Sequence, residues 1–275
     1  MKNWRVVVGL VSEMHFDDLY SEYVTATHDR QSSIENPAKI LICTTPRTAG
    51  HSYCQVLRQF GLGMPTEYFQ WQYALPLMRR WSADDTMDLE KLNQQAPAYG
   101  RHLLAKRTEN GVFAAKIFFE NLPFARSSIG DDNGNSFYVF LSRRNKVDQT
   151  ISLLSMLHTG QPFDSQETLP GIPTVTTLTE RVVRDTAQYI LDSEIRWKNY
   201  LNALDRRRVA EVCYEDFIAN QQESASATMG NWFPDFELKS KTISTSMRYA
   251  HDVELKTMIK RQFGDYVRRF WQDHA

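Results

Sequence analysis

Four short runs of mostly apolar residues predict a set of buried strands. Each run is bounded by turn formers or by a helical pattern, and none has the regular polar alternation of a half-exposed strand. Continuous apolar character of this kind is typical of parallel strands covered on both faces. The predicted strands are 39–44 (KILICT), 112–118 (VFAAKIF), 136–141 (SFYVFL) and 209–214 (VAEVCY).

A helical pattern directly follows the first strand. Tyr53, Val56, Leu57 and Phe60 recur at helical spacing, and Gly61 stands where a glycine often ends a helix. The order is therefore strand, loop, helix.

Three further segments have helical spacing. The segment 145–157 follows the third strand, 177–204 begins with Thr177 and Glu180 at the spacing of a capping box, and 253–270 is polar and basic on one side. Strands that alternate with helices predict an α/β fold with a parallel sheet flanked by helices, which binds ligands at the carboxyl ends of its strands.

Turn-forming residues divide the chain unevenly. A polar cluster before Pro37 marks residues 1–36 as an N-terminal extension or cap, and residues 37–275 as the main domain. Residues 160–177, rich in Pro, Ser and Thr, are predicted to be a long surface loop, in the manner of a lid.

Composition indicates an ordinary cytoplasmic protein. The chain is 42% hydrophobic and 24% charged with a formal net charge of -1, which gives no overall attraction to nucleic acid. Its three cysteines lack the spacing of a disulfide framework or a zinc site. We find no signal peptide and no apolar run of the roughly 20 residues that a membrane helix needs.

The loop after the first strand is the strongest candidate for a binding site. Residues 44–52 (TTPRTAGHS) join a buried strand to a helix N-terminus, which is a natural anion site, and add one cation and several hydroxyls. The Lys-Ser or Lys-Thr that closes a Walker A loop is missing, which disfavours an ordinary ATPase or kinase. A capped turn with a solvated Arg47 is the alternative explanation of the loop.

Three stretches resemble the PAPS-dependent sulfotransferases, most closely the bacterial branch that contains trehalose 2-sulfotransferase. They are 46–70 (PRTAGHSYCQVLRQFGLGMPTEYFQ), 111–122 (GVFAAKIFFENL) and 142–161 (SRRNKVDQTISLLSMLHTGQ). The resemblance implies a P-loop NTPase-like sulfotransferase fold. The C-terminal half of the chain matches only weakly.

The resemblance also implies how the donor PAPS is held. The loop would bind its 5'-phosphosulfate, with Arg47 in a catalytic role as well, because a fixed cation stabilises the charge that grows on the leaving oxygen. The implied loop residues are Arg47, Thr48, Ala49, Gly50, His51 and Ser52. Ala49, Gly50 and His51 depart from the family's Gly, Ser and Thr, and His51 is either a phosphate donor or a plain helix residue.

Other site residues follow from the same resemblance. Glu67 matches the catalytic base; an acidic residue that favours the start of a helix is the alternative. Arg143 and Ser152 match the pair that holds the 3'-phosphate, and Arg248 is a weaker candidate for a basic residue that closes over the nucleotide. Lys116 lies within an apolar strand, so we expect it to reach a carboxylate or the mouth of the site.

The function implied is transfer of a sulfuryl group from PAPS to a hydroxyl of a carbohydrate or glycolipid, with PAP as product and no metal. The resemblance also implies a homodimer. A P-loop-like small-molecule or nucleotide kinase is one alternative, and a catalytically inactive PAPS- or PAP-binding protein is another, prompted by the changed residues Ala49 to His51.

Overall fold

The structure, a computed structural model, describes residues 21–32, 34–130, 134–160, 177–234 and 253–274. The chain divides into two compact units, which are treated separately. The larger comprises Tyr20–Ser142 and Glu194–Ile243, and the smaller includes Arg143–Ser193 and Ser244–Ala275.

A five-stranded sheet forms the centre of the larger unit. Its spatial order is β2-β3-β1-β4-β5, with β1 pairing in parallel with both β3 and β4, and β4 in parallel with β5. The strands are β1 (Ala38–Thr44), β2 (Thr108–Glu109), β3 (Val112–Phe118), β4 (Ser136–Ser142) and β5 (Val209–Cys213). The α/β fold and all four predicted strands are confirmed.

The short strand β2 was not predicted. It pairs antiparallel with β3 through a two-residue turn at Asn110 and Gly111, whose φ angles are 48° and 78°. Asn-Gly tolerates the left-handed conformation at both positions, which suits a tight hairpin. The sheet is therefore parallel except at this edge.

Successive residues of the central strands point to opposite faces of the sheet, and both faces are buried. Leu41 and Cys43 belong to a hydrophobic cluster on one face, together with Phe113, Ala115, Ile117, Tyr138 and Phe140. Ile40 and Ile42 are fully buried on the other face. Lys116 alternates with the members of the first cluster, so its side chain also belongs to the second face.

Helices occupy most of the remaining described chain. They are α1 (Ser21–Val24), α2 (Gly50–Gln59), α3 (Trp71–Ser82), α4 (Leu89–Gln94), α5 (Ala96–Arg107), α6 (Leu122–Ile129), α7 (Lys146–Thr159), α8 (Glu180–Asn202), α9 (Tyr214–Ala219), α10 (Gln221–Trp232) and α11 (Val253–Asp273). Among the helices of the described ranges, none combines the length and apolar character needed to cross a membrane.

The predicted helices are confirmed, with one correction at a cap. Gly61 ends the first helix in the left-handed conformation, with φ 75°. The capping box predicted for Thr177 is wrong: α8 begins at Glu180, and the backbone N–H of Val182 donates to Thr179 Oγ1 over 3.3 Å. Thr179 is therefore the N-cap, because a cap directly precedes the first helical residue.

The smaller unit has its own apolar core. Residues from α7, the first part of α8 and α11 form one cluster, and Lys260 of α11 pairs with Asp148 of α7 at 3.0 Å. The buried members are Ile151, Leu154, Val183, Ile259, Phe263 and Val267. The helical spacing predicted for residues 145–157 is thus confirmed.

Within the larger unit, an ion-pair cluster ties the segment after α1 to helices α3 and α5. Asp29 accepts from Arg80 Nη1 at 2.7 Å and lies 3.0 Å from Nη2 of Arg107, whose side chain is fully buried. Arg107 also donates to the carbonyls of Tyr23 and Thr25. Residues 1–20 of the predicted extension lie outside the described residues.

Candidate active site

The loop between β1 and α2 is braced by its own hydroxyl groups. The Oγ1 atoms of Thr44 and Thr48 are 2.5 Å apart, and Thr48 Oγ1 donates to the carbonyl of Thr45 over 3.0 Å. Trp197 of α8 donates its Nε1–H to the carbonyl of Thr44 over 3.0 Å. The end of β1 is therefore fixed on both sides.

Two residues of this loop have left-handed backbones although neither is glycine. Arg47 has φ 65° and Ala49 has φ 62°. Such conformations cost about 1 kcal/mol or more for residues with a Cβ and are common at functional sites. Ala49 is the N-cap of α2 and has no side-chain oxygen, so its own side chain cannot cap the first N–H groups of the helix.

Gly50 lies directly beside the side chain of Lys116. A Cβ at position 50 would lie 2.6 Å from Cε of Lys116 and 3.4 Å from its Nζ. The ammonium of Lys116 therefore lies beside the first turn of α2. A cationic group beside a helix N-terminus favours the binding of an anion.

Glu67 is held by two basic residues. Its Oε1 accepts from Nζ of Lys116 and is 3.2 Å from Nε2 of His51. The side chains of Glu67 and Lys116 are each only 7% exposed, and that of His51 is 21% exposed. The prediction that Lys116 reaches a carboxylate is thus confirmed.

The backbone around Glu67 is fixed by strand β3 and helix α5. The N–H of Lys116 donates to the carbonyl of Thr66 over 2.9 Å, and the hydroxyl of Tyr99 donates to the carbonyl of Tyr68 over 2.7 Å. Anchors on both sides limit where the carboxylate can point. Glu67 is therefore held by the sheet and not by the start of α3, which begins at Trp71.

Electrostatics keeps Glu67 ionised. Burial alone would raise the pKa of Glu67, but the charge of Lys116 and the hydrogen bond from His51 outweigh it and lower that pKa to about 2. Burial and the neighbouring Lys116 lower the pKa of His51 from 6.5, against a smaller opposing effect of Glu67. At neutral pH the site therefore holds the carboxylate of Glu67 and the neutral imidazole of His51.

The free energy of unfolding is expected to decrease less between about pH 7 and pH 5 when His51 is replaced with glutamine. Because the folded pKa of His51 lies below 6.5, the unfolded chain binds the proton first. The stability contributed by the neutral imidazole is complete above pH 6.5 and is lost as pH falls through the folded pKa. Thermal unfolding at both pH values measures the difference, and equal losses in wild type and His51→Gln would contradict it.

The other predicted site residues are less closely defined. Arg143 directly follows β4 and Ser152 lies buried within α7; both belong to the smaller unit, whereas Glu67 and the loop belong to the larger one. Their convergence on one phosphate stays a prediction. Arg248 and most of the predicted lid, residues 161–176, lie outside the described residues.

The aromatic residues after Glu67 pack the core. Tyr68, Phe69 and Tyr73 are each at most 2% exposed and lie in the main hydrophobic cluster. These three rings are therefore not available to stack on a sugar. Within the described ranges, no group of three His, Cys, Asp or Glu side chains is placed to hold a metal ion.

Sequence reasoning missed the relation between Gly50 and Lys116. The signal was present, because a lysine inside an apolar strand needs a partner, but the partner could not be chosen. In the structure Lys116 pairs in register with Ile42 of β1, two residues before the end of that strand. This register brings the lysine to the loop.

A family model describes most of the chain. The Stf0 sulphotransferase model matches residues 39–262, which includes the loop, Glu67, Lys116, Arg143 and Ser152. Among curated proteins, none matches the chain.

Solved sulfotransferase structures align with the chain at low similarity. The domain from the curacin biosynthetic pathway is 16% identical, over 71% of this chain and 74% of that one, with a TM-score of 0.43. STF1 of Mycobacterium tuberculosis is 15% identical over 95% and 85%, with a TM-score of 0.43. Mouse SULT7A1, solved with PAP, is 12% identical over 94% and 95%, with a TM-score of 0.38. Similarity at this level carries no weight for the site.

Proposed function

Because the chain belongs to the Stf0 sulphotransferase family, we propose that it transfers a sulfuryl group from PAPS to a hydroxyl of a carbohydrate or glycolipid. The observation that carries this proposal is the buried carboxylate of Glu67, held by Lys116 and His51 next to the first turn of α2. This arrangement supports the proposal, because sulfuryl transfer to a hydroxyl requires a base close to a site for the anionic donor.

The loop supplies what the sulfated end of the donor needs. The N–H groups of the first turn of α2, together with Arg47, stabilise negative charge on the oxygen that links sulfur to the leaving nucleotide. The rest of the proposed donor-binding loop consists of Thr48, Ala49, Gly50, His51 and Ser52. Arg143 and Ser152 are proposed to hold the 3'-phosphate, and Arg248 to close over the nucleotide.

The reaction is a direct in-line transfer. The acceptor O–H bond breaks as its proton moves to Glu67, the acceptor oxygen bonds to sulfur, and the bond from sulfur to the phosphate oxygen breaks. The electron pair of that last bond leaves with PAP, so no covalent enzyme intermediate forms. No metal is needed in this scheme, because a sulfuryl group carries less charge than a phosphoryl group.

We also propose a cytoplasmic location and a homodimeric state. No disulfide joins Cys43, Cys54 or Cys213 in the structure, which is consistent with a reducing cytoplasm. A homodimer is proposed from the resemblance to bacterial sulfotransferases. Membership of a sulfotransferase family favours this function over the kinase alternative.

Thermal stabilisation by nucleotides tests the donor. A ligand that binds only the folded state raises stability by RT ln(1 + [L]/Kd), so PAP is expected to raise Tm while 5'-AMP, which lacks the 3'-phosphate, does not. ATP with Mg²⁺ is the control for a kinase. Stabilisation by ATP but not by PAP would exclude the proposed donor.

A further inference from the structure

Lys116 lies close both to the carboxylate of Glu67 and to the N-terminus of α2, where an anion can bind. Its ammonium is paired with Oε1 of Glu67, and it is also within van der Waals reach of the first residue of α2, where a Cβ on Gly50 would lie 3.4 Å from Nζ. The positive end of a helix dipole favours an anion at this place. The same ammonium can therefore serve Glu67 or an anion bound at the helix end.

We propose that Lys116 exchanges Glu67 for the sulfated end of the donor, and that this exchange activates Glu67 as the base. The inference rests on the proposed function, since it takes PAPS as the donor. Lys116 then pairs first with Glu67 and afterwards with the bound donor. Glu67 becomes a stronger base only after the donor has bound.

The loop between β1 and α2 contains few cations with which to bind the anionic end of the donor. Between Thr44 and Ser52 the sequence contains one cation, Arg47, and lacks the lysine of a Walker A loop. Lys116 comes from the neighbouring strand β3 and places its ammonium at the same helix end. An ammonium on a flexible stem is suited to such a change of partner, because its three donors have no fixed plane.

The state of Glu67 gives a second reason for the exchange. A general base works best when its pKa is near the working pH, whereas Lys116 and His51 hold the pKa of Glu67 at about 2 despite its burial. When Lys116 turns to the donor, the remaining burial raises the pKa of Glu67. The carboxylate then becomes basic enough to take the proton of the acceptor hydroxyl while the new O–S bond forms.

Gly50 makes the exchange sterically possible. With any side chain at this position, the stem of Lys116 would have to move, since a Cβ would lie 2.6 Å from Cε and 3.1 Å from Cδ. The stem of Lys116 thus passes directly over the glycine on its way to the helix end.

The test is the affinity of PAPS without acceptor, measured by calorimetry for wild type, Glu67→Gln and the double variant Glu67→Gln/Lys116→Met. Glutamine has the shape of glutamate but no charge, so Lys116 no longer has to leave a carboxylate. Glu67→Gln is expected to bind PAPS about tenfold more tightly than wild type, the effect of one charged hydrogen bond. The double variant, which leaves no unpaired charge of this pair, is expected to bind more weakly than wild type.

Two glycine variants provide an independent check that keeps both charges. Gly50→Ala is expected to weaken PAPS binding about tenfold, because it displaces the stem of Lys116. Gly230→Ala, in a helix where an added Cβ meets nothing within 4 Å, is the matched control and is expected to bind like wild type.

Several outcomes would overturn the inference. Equal affinities of wild type and Glu67→Gln would show that Lys116 never leaves its carboxylate. Tighter binding that persists in the double variant would show that Glu67 merely repels the donor. Failure of wild type itself to bind PAPS is a different result, because it removes the proposed donor and with it the function.

Discussion

Replacing Glu67 with glutamine is expected to lower kcat by about 10²- to 10⁴-fold, the usual contribution of a general base. Glutamine keeps the shape of the side chain but cannot accept a proton from the acceptor hydroxyl. The loss should appear in turnover while donor affinity does not fall, since Glu67 does not hold the nucleotide and its charge competes with the donor for Lys116. Initial rates with labelled PAPS and any acceptor that wild type sulfates measure the effect.

Glu211→Gln is the matched control, because it makes the same chemical change at an exposed position of β5. Its kcat is expected to equal that of wild type. Undiminished turnover by a folded Glu67→Gln enzyme would mean that the carboxylate is not the base.

Replacing Asp29 with alanine is expected to reduce the free energy of unfolding by about 3 kcal/mol, the lower end of the range for breaking a buried ion pair. The guanidinium of Arg107 is fully buried and would lose its carboxylate, keeping only the carbonyls of Tyr23 and Thr25. Arg80 would lose a two-pronged contact to the same carboxylate. Urea unfolding of both proteins measures the difference.

An exposed ion pair gives the contrast for this prediction. Arg207 Nη2 and Asp205 are 2.8 Å apart, as close as the pairs of Asp29, but the arginine side chain is 89% exposed. Asp205→Ala is expected to change stability little, because solvent already screens the pair. Similar losses of unfolding free energy in Asp29→Ala and Asp205→Ala would mean that the burial of Arg107 does not account for the effect of Asp29 on stability.

The sheet could be predicted from sequence because its strands are continuous apolar runs. The residues 39–44 and 112–118 have few polar positions and are followed by turns, which leaves little choice of element. Strand β2 has only two residues, too few for any periodicity. Thr179 was missed as a cap because Thr177 has a glutamate three residues later, as a capping box requires, whereas Thr179 has Val182 at that spacing.

The candidate site could be predicted only in part, because its contacts are distant in sequence. Lys116 and Glu67 are 49 residues apart, and Trp197 is 153 residues from the carbonyl that it binds. No local pattern specifies such pairs; they follow from the register of β1 and β3 and from the packing of α8. Glu67 itself was found through a resemblance, not through periodicity.

The most direct test of the account is whether the protein moves a sulfuryl group. Purified protein would be incubated with PAPS and a panel of sugars and glycolipids, and both PAP and the mass of each acceptor would be measured. The account predicts that PAP appears together with an acceptor heavier by one sulfuryl group, and that both depend on Glu67. PAPS that binds but is never consumed with any hydroxyl acceptor would contradict it and would support an inactive nucleotide-binding protein.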